Sequence, residues 1–203
     1  AGSCGQPPIC RQEDLGVVRT AEARCSCQAL GIPPPVILDY EDSRLAEIET
    51  EAGVAIIAAQ IQAIQPQILL TWPLDGLSGH ADHVAVSRWT LAAYKKAIEG
   101  GDAHLAALYH LAMPESLANE LGLKMLHTLP DSEITVTVDV KPVWEKKLAA
   151  IACHRTQAGE SPILHAPLAR QVRFLGWEHF HLFSVSVPAG RKMANLEAWI
   201  SCR

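Results

Sequence analysis

Thr71 to Arg88 reads TWPLDGLSGHADHVAVSR. Immediately before it, Ile68-Leu69-Leu70 is a short apolar run of the kind a buried strand shows. After it, Val84, Val86, Trp89 and the stretch from Leu91 to Ile98 follow helical spacing with one side buried. Gly76 and Gly79 give the backbone the freedom that a tight strand-to-helix turn needs. His80-Ala81-Asp82-His83 therefore falls at the carboxyl end of a strand and in the first turn of a helix, where open α/β sheets hold their ligands. His80 and His83 are three apart and share a helix face. Two imidazoles and a carboxylate in that place suit a metal-assisted hydrolase. From spacing alone, polar residues that merely fill a turn explain them about as well.

Working outward, Leu45, Ile48, Val54, Ile57, Ile61 and Ile64 make a helical stripe that Pro66 closes. Further upstream, Glu13 and Asp14 favour a helix start, and the pattern runs to Leu30 with Gly31 as its stop. Arg19 and Glu22, one turn apart on that helix, read by themselves as an ordinary surface pair worth little. Pro33-Pro34-Pro35 leads into a strand, Val36-Ile37-Leu38, with Asp39 to Asp42 at its carboxyl end. An acidic loop is usually just solvated, but that location makes Asp42 an acceptor for a substrate hydroxyl. The alternation of helix and strand predicts an α/β, Rossmann-like fold. Its sheet is mostly parallel with helices on both faces, in one domain over residues 1–203.

Past Gly100-Gly101 the pattern loosens. His104 to Leu111 reads as a strand, with His104 and His110 exposed or at the edge of the core. Pro114 opens a short helix, and Ile134, Val136 and Val138 alternate with polar residues as a half-buried strand does. Val143 to Gln157 predicts a helix with His154 near its end, either as a cap or as a site residue. In Trp177-Glu178-His179-Phe180-His181 the two histidines point one way from a strand, and an ordinary strand is favoured over a metal site. Met193, Leu196, Trp199 and Ile200 are spaced as one face of a terminal helix.

Composition bounds what the chain does. At 203 residues and 49% hydrophobic it builds a sizeable core. A net charge of −5 argues against nucleic acid and anionic membrane as partners. No apolar run is long enough to span a bilayer. The six cysteines contain no C-x-x-C pair, so zinc-finger spacing is absent and free thiols in a reducing cytoplasm are expected.

The order of motifs resembles the LmbE-like (PIG-L) family of zinc-dependent N-acetylglucosaminyl deacetylases. Leu15 to Arg19 with Glu22, Ala29-Leu30-Gly31-Ile32, Leu38-Asp39-Tyr40, Asp42-Ser43 and Gln65-Pro66 follow the family order. So do Thr71-Trp72-Pro73, the GHADHVAVSR run, Lys147 and His154-Arg155-Thr156-Gln157. The resemblance implies that His83 ligates zinc, that His80 protonates the leaving amine and stabilises the oxyanion, and that Asp82 orients His80. It implies that Arg19 and Asp42 contact the sugar, with His154 near the site. The substrate implied is a small N-acetylated amino sugar or its conjugate, and the protein is a possible homo-oligomer. The family's first strand normally ends in Ala-His-Pro-Asp-Asp, which supplies two zinc ligands and the general base, and no such motif occurs here. The chain starts about where the family has finished its second strand. The expectation is an N-terminally truncated enzyme, inactive as this span alone, or else a non-catalytic sugar-binding or scaffold protein that keeps the fold without the metal site.

Overall fold

The computed structural model describes residues 2–124 and 126–186; the predicted terminal helix from Gly190 to Arg203 lies outside the described residues. The order of elements is α1 (Leu15–Leu30), α2 (Thr50–Ile64), β1 (Ile68–Thr71), α3 (Ala81–Glu99), β2 (Ala107–Leu111) and α4 (Glu115–Leu121). Then come β3 (Val136–Asp139), α5 (Trp144–Ala152), α6 (Arg155–Ala158), α7 (Leu168–Leu175) and β4 (Trp177–Val185). The chain forms two compact units. One holds 1–42 with 139–177 and is called the α1 unit; the other holds 43–138 with the described residues from Glu178 on and is called the α3 unit.

In the α3 unit the strands run in the order β1-β2-β4-β3. β1 and β2 are parallel, while β4 lies antiparallel to β2. The fold is α/β with helices flanking a small mixed sheet, and β4 is what makes it mixed. α3 covers one face of the sheet and packs along α2. Val54, Ile61, Ala85, Trp89, Ala93, Tyr94, Leu105 and Leu108 form the core on that side. Gly53 in α2 is required by this packing, because a Cβ there would fall 2.1 Å from the Trp89 ring. Ala107, Tyr109, Val136 and Phe180 form a second apolar cluster on the opposite side of β2, as strand alternation requires.

In the α1 unit, α5 packs on α1. Gly31 ends α1 in the left-handed region, and its N–H bonds the carbonyls of Cys27 and Gln28. Cys25 and Cys153 are joined as a disulfide that ties α1 to the end of α5, so the expectation of free thiols is corrected at these two positions. Cys4, Cys10 and Cys27 are free. The expected surface pair is corrected too. Glu22 is buried, and its carboxylate accepts from the Thr156 N–H at 2.8 Å and the Thr156 hydroxyl at 2.7 Å. The two lone-pair-rich oxygens and the two donors satisfy one another where no water reaches.

Other differences follow from local physics. Val36-Ile37-Leu38 is not a strand: among the described residues it has no strand pairing. The predicted helix over Val143 to Gln157 breaks at Cys153-His154 and resumes as α6. Leu168–Leu175 also forms a helix, α7, opened by Pro167. Among the described residues no helix is long and apolar enough to cross a membrane.

Candidate functional site

The turn between β1 and α3 is built from an unusual backbone. Gly76, Leu77 and Gly79 have φ of 74°, 64° and 73°, all left-handed. Two glycines adopt this at little cost, while Leu77 is strained there by roughly 1–3 kcal/mol. Asp75 holds the turn by accepting the Leu77 N–H at 2.8 Å. A Cβ on Gly76 would meet the His80 carbonyl oxygen, the His83 Cβ and Val84 at 3.0–3.1 Å, so only glycine lets α3 start this close to the loop.

The turn delivers the two histidines in different states of engagement. His83 donates from Nδ1 to the Gly76 carbonyl at 3.1 Å. Trp72 lies flat against its other side, with ring centroids 3.8 Å apart and planes within 4°. An imidazole whose Nδ1–H is fixed on a carbonyl keeps the Nε2 lone pair for a metal, the arrangement that metal-ligating histidines normally show. His80 is the N-cap of α3, and its Nδ1 accepts the Asp82 N–H at 3.2 Å. That bond puts the ring proton on Nε2, where it can be donated. The two rings are 4.9 Å apart between centroids.

The Asp82 carboxylate is engaged elsewhere. It accepts from the Ser43 N–H at 2.7 Å and the Leu45 N–H at 3.0 Å. What orients the His80 ring is thus the Asp82 backbone, while the Asp82 side chain holds the segment before α2.

Arg19 and Asp42 are in the α1 unit. Arg19 reaches from α1 over the N-terminal loop, with Nη2 3.4 Å from the Ser3 carbonyl. Its Nε is buried and has no hydrogen-bond partner among the described residues. Asp42 is exposed. His154 is half-buried and sits at the start of α6, where it makes no side-chain cap. His179 and His181 are tied by their Nδ1 atoms to the Thr137 hydroxyl at 3.0 Å and the Glu133 carbonyl at 2.8 Å, with no ligand cluster around either in the α3 unit.

Two histidines near the turn carried little or no sequence signal. His127 comes from the loop after α4. Its N–H bonds the Leu77 carbonyl at 2.7 Å, and its Nδ1 is 3.8 Å from an Asp75 carboxylate oxygen. No motif or spacing marks it. His110, expected to be exposed or at the edge of the core, is instead only 4% exposed, a correction forced by its place in the middle strand-pair of the sheet. Burial, followed by the nearby His181, pushes its pKa down to about 4 against an opposing pull from Asp75.

The residues fit one zinc ligand clearly: His83, by the fixed Nδ1–H. Within the described residues of the α3 unit, no three His, Cys, Asp or Glu ligand atoms converge. A catalytic zinc takes three protein ligands and an open position. His83 alone would not make up such a set.

Residues 1–94 match the family described as PIG-L: GlcNAc-PI de-N-acetylase. That span includes α1 and the whole GHADH turn and stops within α3. The chain is 27% identical over 219 residues to a 1D-myo-inositol 2-acetamido-2-deoxy-alpha-D-glucopyranoside deacetylase of Thermobifida fusca, covering 88% of this chain and 75% of that one. It is 27% identical over 231 residues to the enzyme of the same name from Thermobispora bispora, covering 89% and 74%. Among solved structures, the antimicrobial reagent A40926 pseudoaglycone deacetylase Dbv21 superposes with a TM-score of 0.55 at 19% identity, over 92% of this chain and 84% of that one. GalB, the 4-carboxy-2-hydroxymuconate hydratase from Pseuodomonas putida KT2440, superposes with a TM-score of 0.56 at 17% identity, over 91% and 78%. The likeness to the PIG-L family is thus carried by the sequence of residues 1–94, and the solved structures share the fold. One of these folds serves a deacetylase and the other a hydratase, so fold alone does not select the reaction.

Proposed function

We propose that this chain is the zinc-dependent hydrolase of an N-acetylglucosamine-type sugar conjugate, releasing acetate from the amide. The observation that carries the reading is the engagement of His83, Nδ1 on Gly76 and a ring face on Trp72, in the turn that matches the deacetylase family. The sequence relatives named as deacetylases of a 2-acetamido-2-deoxy-glucopyranoside support the substrate class. A non-catalytic binding protein is not favoured, because such a protein has no need of a histidine fixed in this way.

His83 would hold zinc through Nε2. Zinc, when bound, supplies a Lewis acid for the amide carbonyl and a water of pKa near about 7. The residues of this chain do the rest of what can be placed. Water adds to the carbonyl carbon, and the Nε2–H of His80 hydrogen-bonds the oxygen as its charge develops. The C–N bond then breaks, its electron pair stays on nitrogen, that nitrogen takes the proton from His80 Nε2, and the proton released by the added water returns to His80 Nε2. Acetate and a free amine leave. Asp82 keeps His80 in the donating tautomer through its backbone N–H. Arg19 and Asp42 are proposed to contact the sugar, and the two units to be parts of one deacetylase domain.

The test is acetate release from an N-acetylglucosaminide by zinc-loaded protein, with and without a chelator. Release that the chelator abolishes and His83→Ala removes is expected. Zinc-loaded protein that binds the sugar yet releases no acetate would sink the proposal. The cytoplasm is proposed as its compartment, and the Cys25–Cys153 pair sets the check. Recovery of this pair as thiols from a cell extract fits, whereas a disulfide there points to an oxidising compartment.

A further inference from the structure

The row of residues at the carboxyl end of β1 and β2 has chemistry that the proposed reaction does not use. Thr71 of β1, His110 of β2 and His181 of β4 are in register, so their side chains share one face of the sheet. Thr71 Oγ1 is 3.5 Å from Thr90 Oγ1 in α3, which identifies it as the α3 face. Phe183, two residues beyond His181, stacks on the His110 ring at 4.4 Å. His110 is 4% exposed, and its Nε2 has no hydrogen-bond partner among the described residues. Buried polar atoms are nearly always paired, so an orphan imidazole nitrogen calls for a partner that comes and goes. Its position is the end of an α/β sheet at which ligands bind.

A second pair lies on the loops at that same end of the sheet. Asp75 follows β1, and His127 faces its carboxylate at 3.8 Å. The His127 Nε2 lies 3.7 Å from where a Cβ on Gly79 would stand, which brings this third imidazole against the residue preceding His80. Both side chains are about half exposed, at 46% and 53%.

We propose that His110, Asp75 and His127 form a second polar subsite, beside the His80/His83 turn, that takes an uncharged hydroxyl-bearing part of the substrate. His110 is the buried floor, offering one nitrogen to a hydroxyl. Asp75 and His127 are the rim, a carboxylate that accepts from hydroxyls and an imidazole held beside it. Burial keeps the His110 ring neutral at ordinary pH, which suits a neutral partner and not an anion. The inference rests on the sugar-conjugate reading for its choice of ligand, and none of the three residues is needed for the proposed proton transfer.

The experiment uses the full chain, uniformly labelled with 15N, and N-acetylglucosamine as probe. Imidazole nitrogens are followed by NMR during titration, and Kd is measured for the wild type, His110→Phe, Asp75→Asn and His127→Ala. The expected result is a saturable shift of the His110 Nε2 resonance, with Kd raised about tenfold in each variant, the size of one lost hydrogen bond to a ligand. A wild type that binds the sugar with His110 unmoved and with unchanged Kd in the variants overturns the subsite and leaves the deacetylase reading standing. A wild type in which no imidazole shifts and no sugar binds overturns both. If His110→Phe does not melt cooperatively, the two exposed rim variants decide, since neither supports the core: unchanged Kd in both overturns the proposal.

Discussion

The indole of Trp72 lies parallel to the imidazole of His83, 3.8 Å away between centroids, and the Gly76 carbonyl takes the His83 Nδ1 proton from the edge. These two contacts fix both the plane and the tautomer of the ring. Residues that orient a metal-ligating histidine are typically worth about 10–100-fold in metal affinity. Trp72→Ala is therefore expected to weaken zinc binding by about that factor, and His83→Ala to abolish it. His80→Ala is expected to keep the metal while lowering kcat about a hundredfold, as loss of a general acid does. Zinc content by metal analysis and acetate release separate these outcomes. If His80→Ala loses the metal and His83→Ala keeps it, the two roles are exchanged.

Glu22 is the second residue to test, for stability. It is 6% exposed and satisfies two donors of Thr156, which is itself fully buried at 0%. Glu22→Ala leaves both donors without a partner, at roughly 1–3 kcal/mol each. The expected loss is a large part of a typical domain stability of about 5–15 kcal/mol. Urea denaturation of Glu22→Ala against the wild type measures it. A change within about 0.5 kcal/mol, typical of a surface site, would return Glu22 to the surface pair that its spacing suggested.

His110 sets a pH dependence whose sign is the reverse of a histidine that gains a partner. Its pKa falls from 6.5 to about 4 in the folded chain, through burial first and His181 second, with Asp75 opposing. The unfolded chain therefore takes up this proton earlier as pH drops. The stability associated with neutral His110 is fully present above about 6.5 and is lost as pH falls toward 4. Between pH 7 and 5 the loss is about 2 kcal/mol by linkage. Unfolding midpoints at both pH values, for the wild type and His110→Phe, check this. An equally steep fall in the variant would assign the acid sensitivity to other groups.

Much of this molecule is legible from local pattern. The GHADH turn, α1, α2 and α3 follow from glycine placement and apolar spacing, because each is set by residues close in sequence. What stayed hidden depends on partners far away in the chain. Glu22 looks like half of a surface pair until Thr156, 134 residues on, is placed against it. Cys25 looks like a free thiol until α5 brings Cys153 to it. His110 looks like an edge residue because nothing local shows that β4 will add beside β2. His127 sits in a loop without periodicity, and only the Leu77 and Asp75 contacts reveal where it goes.

The edges of the strands give the last expectation. β1 has β2 on one side and no strand on its other side among the described residues, and Leu70 within it is 53% exposed. Val36, Ile37 and Leu38 have no strand pairing among the described residues and are exposed at 61%, 42% and 44%. Apolar extended backbone with free N–H and C=O groups is a template for pairing with another chain. The chain is therefore expected to associate with rising concentration. Leu70→Lys and Ile37→Lys, each placing a charge on one of these edges, are expected to reduce association independently. Light scattering with size exclusion over a hundredfold concentration range makes the comparison. A chain that stays monomeric over that range would show that the edges are harmless.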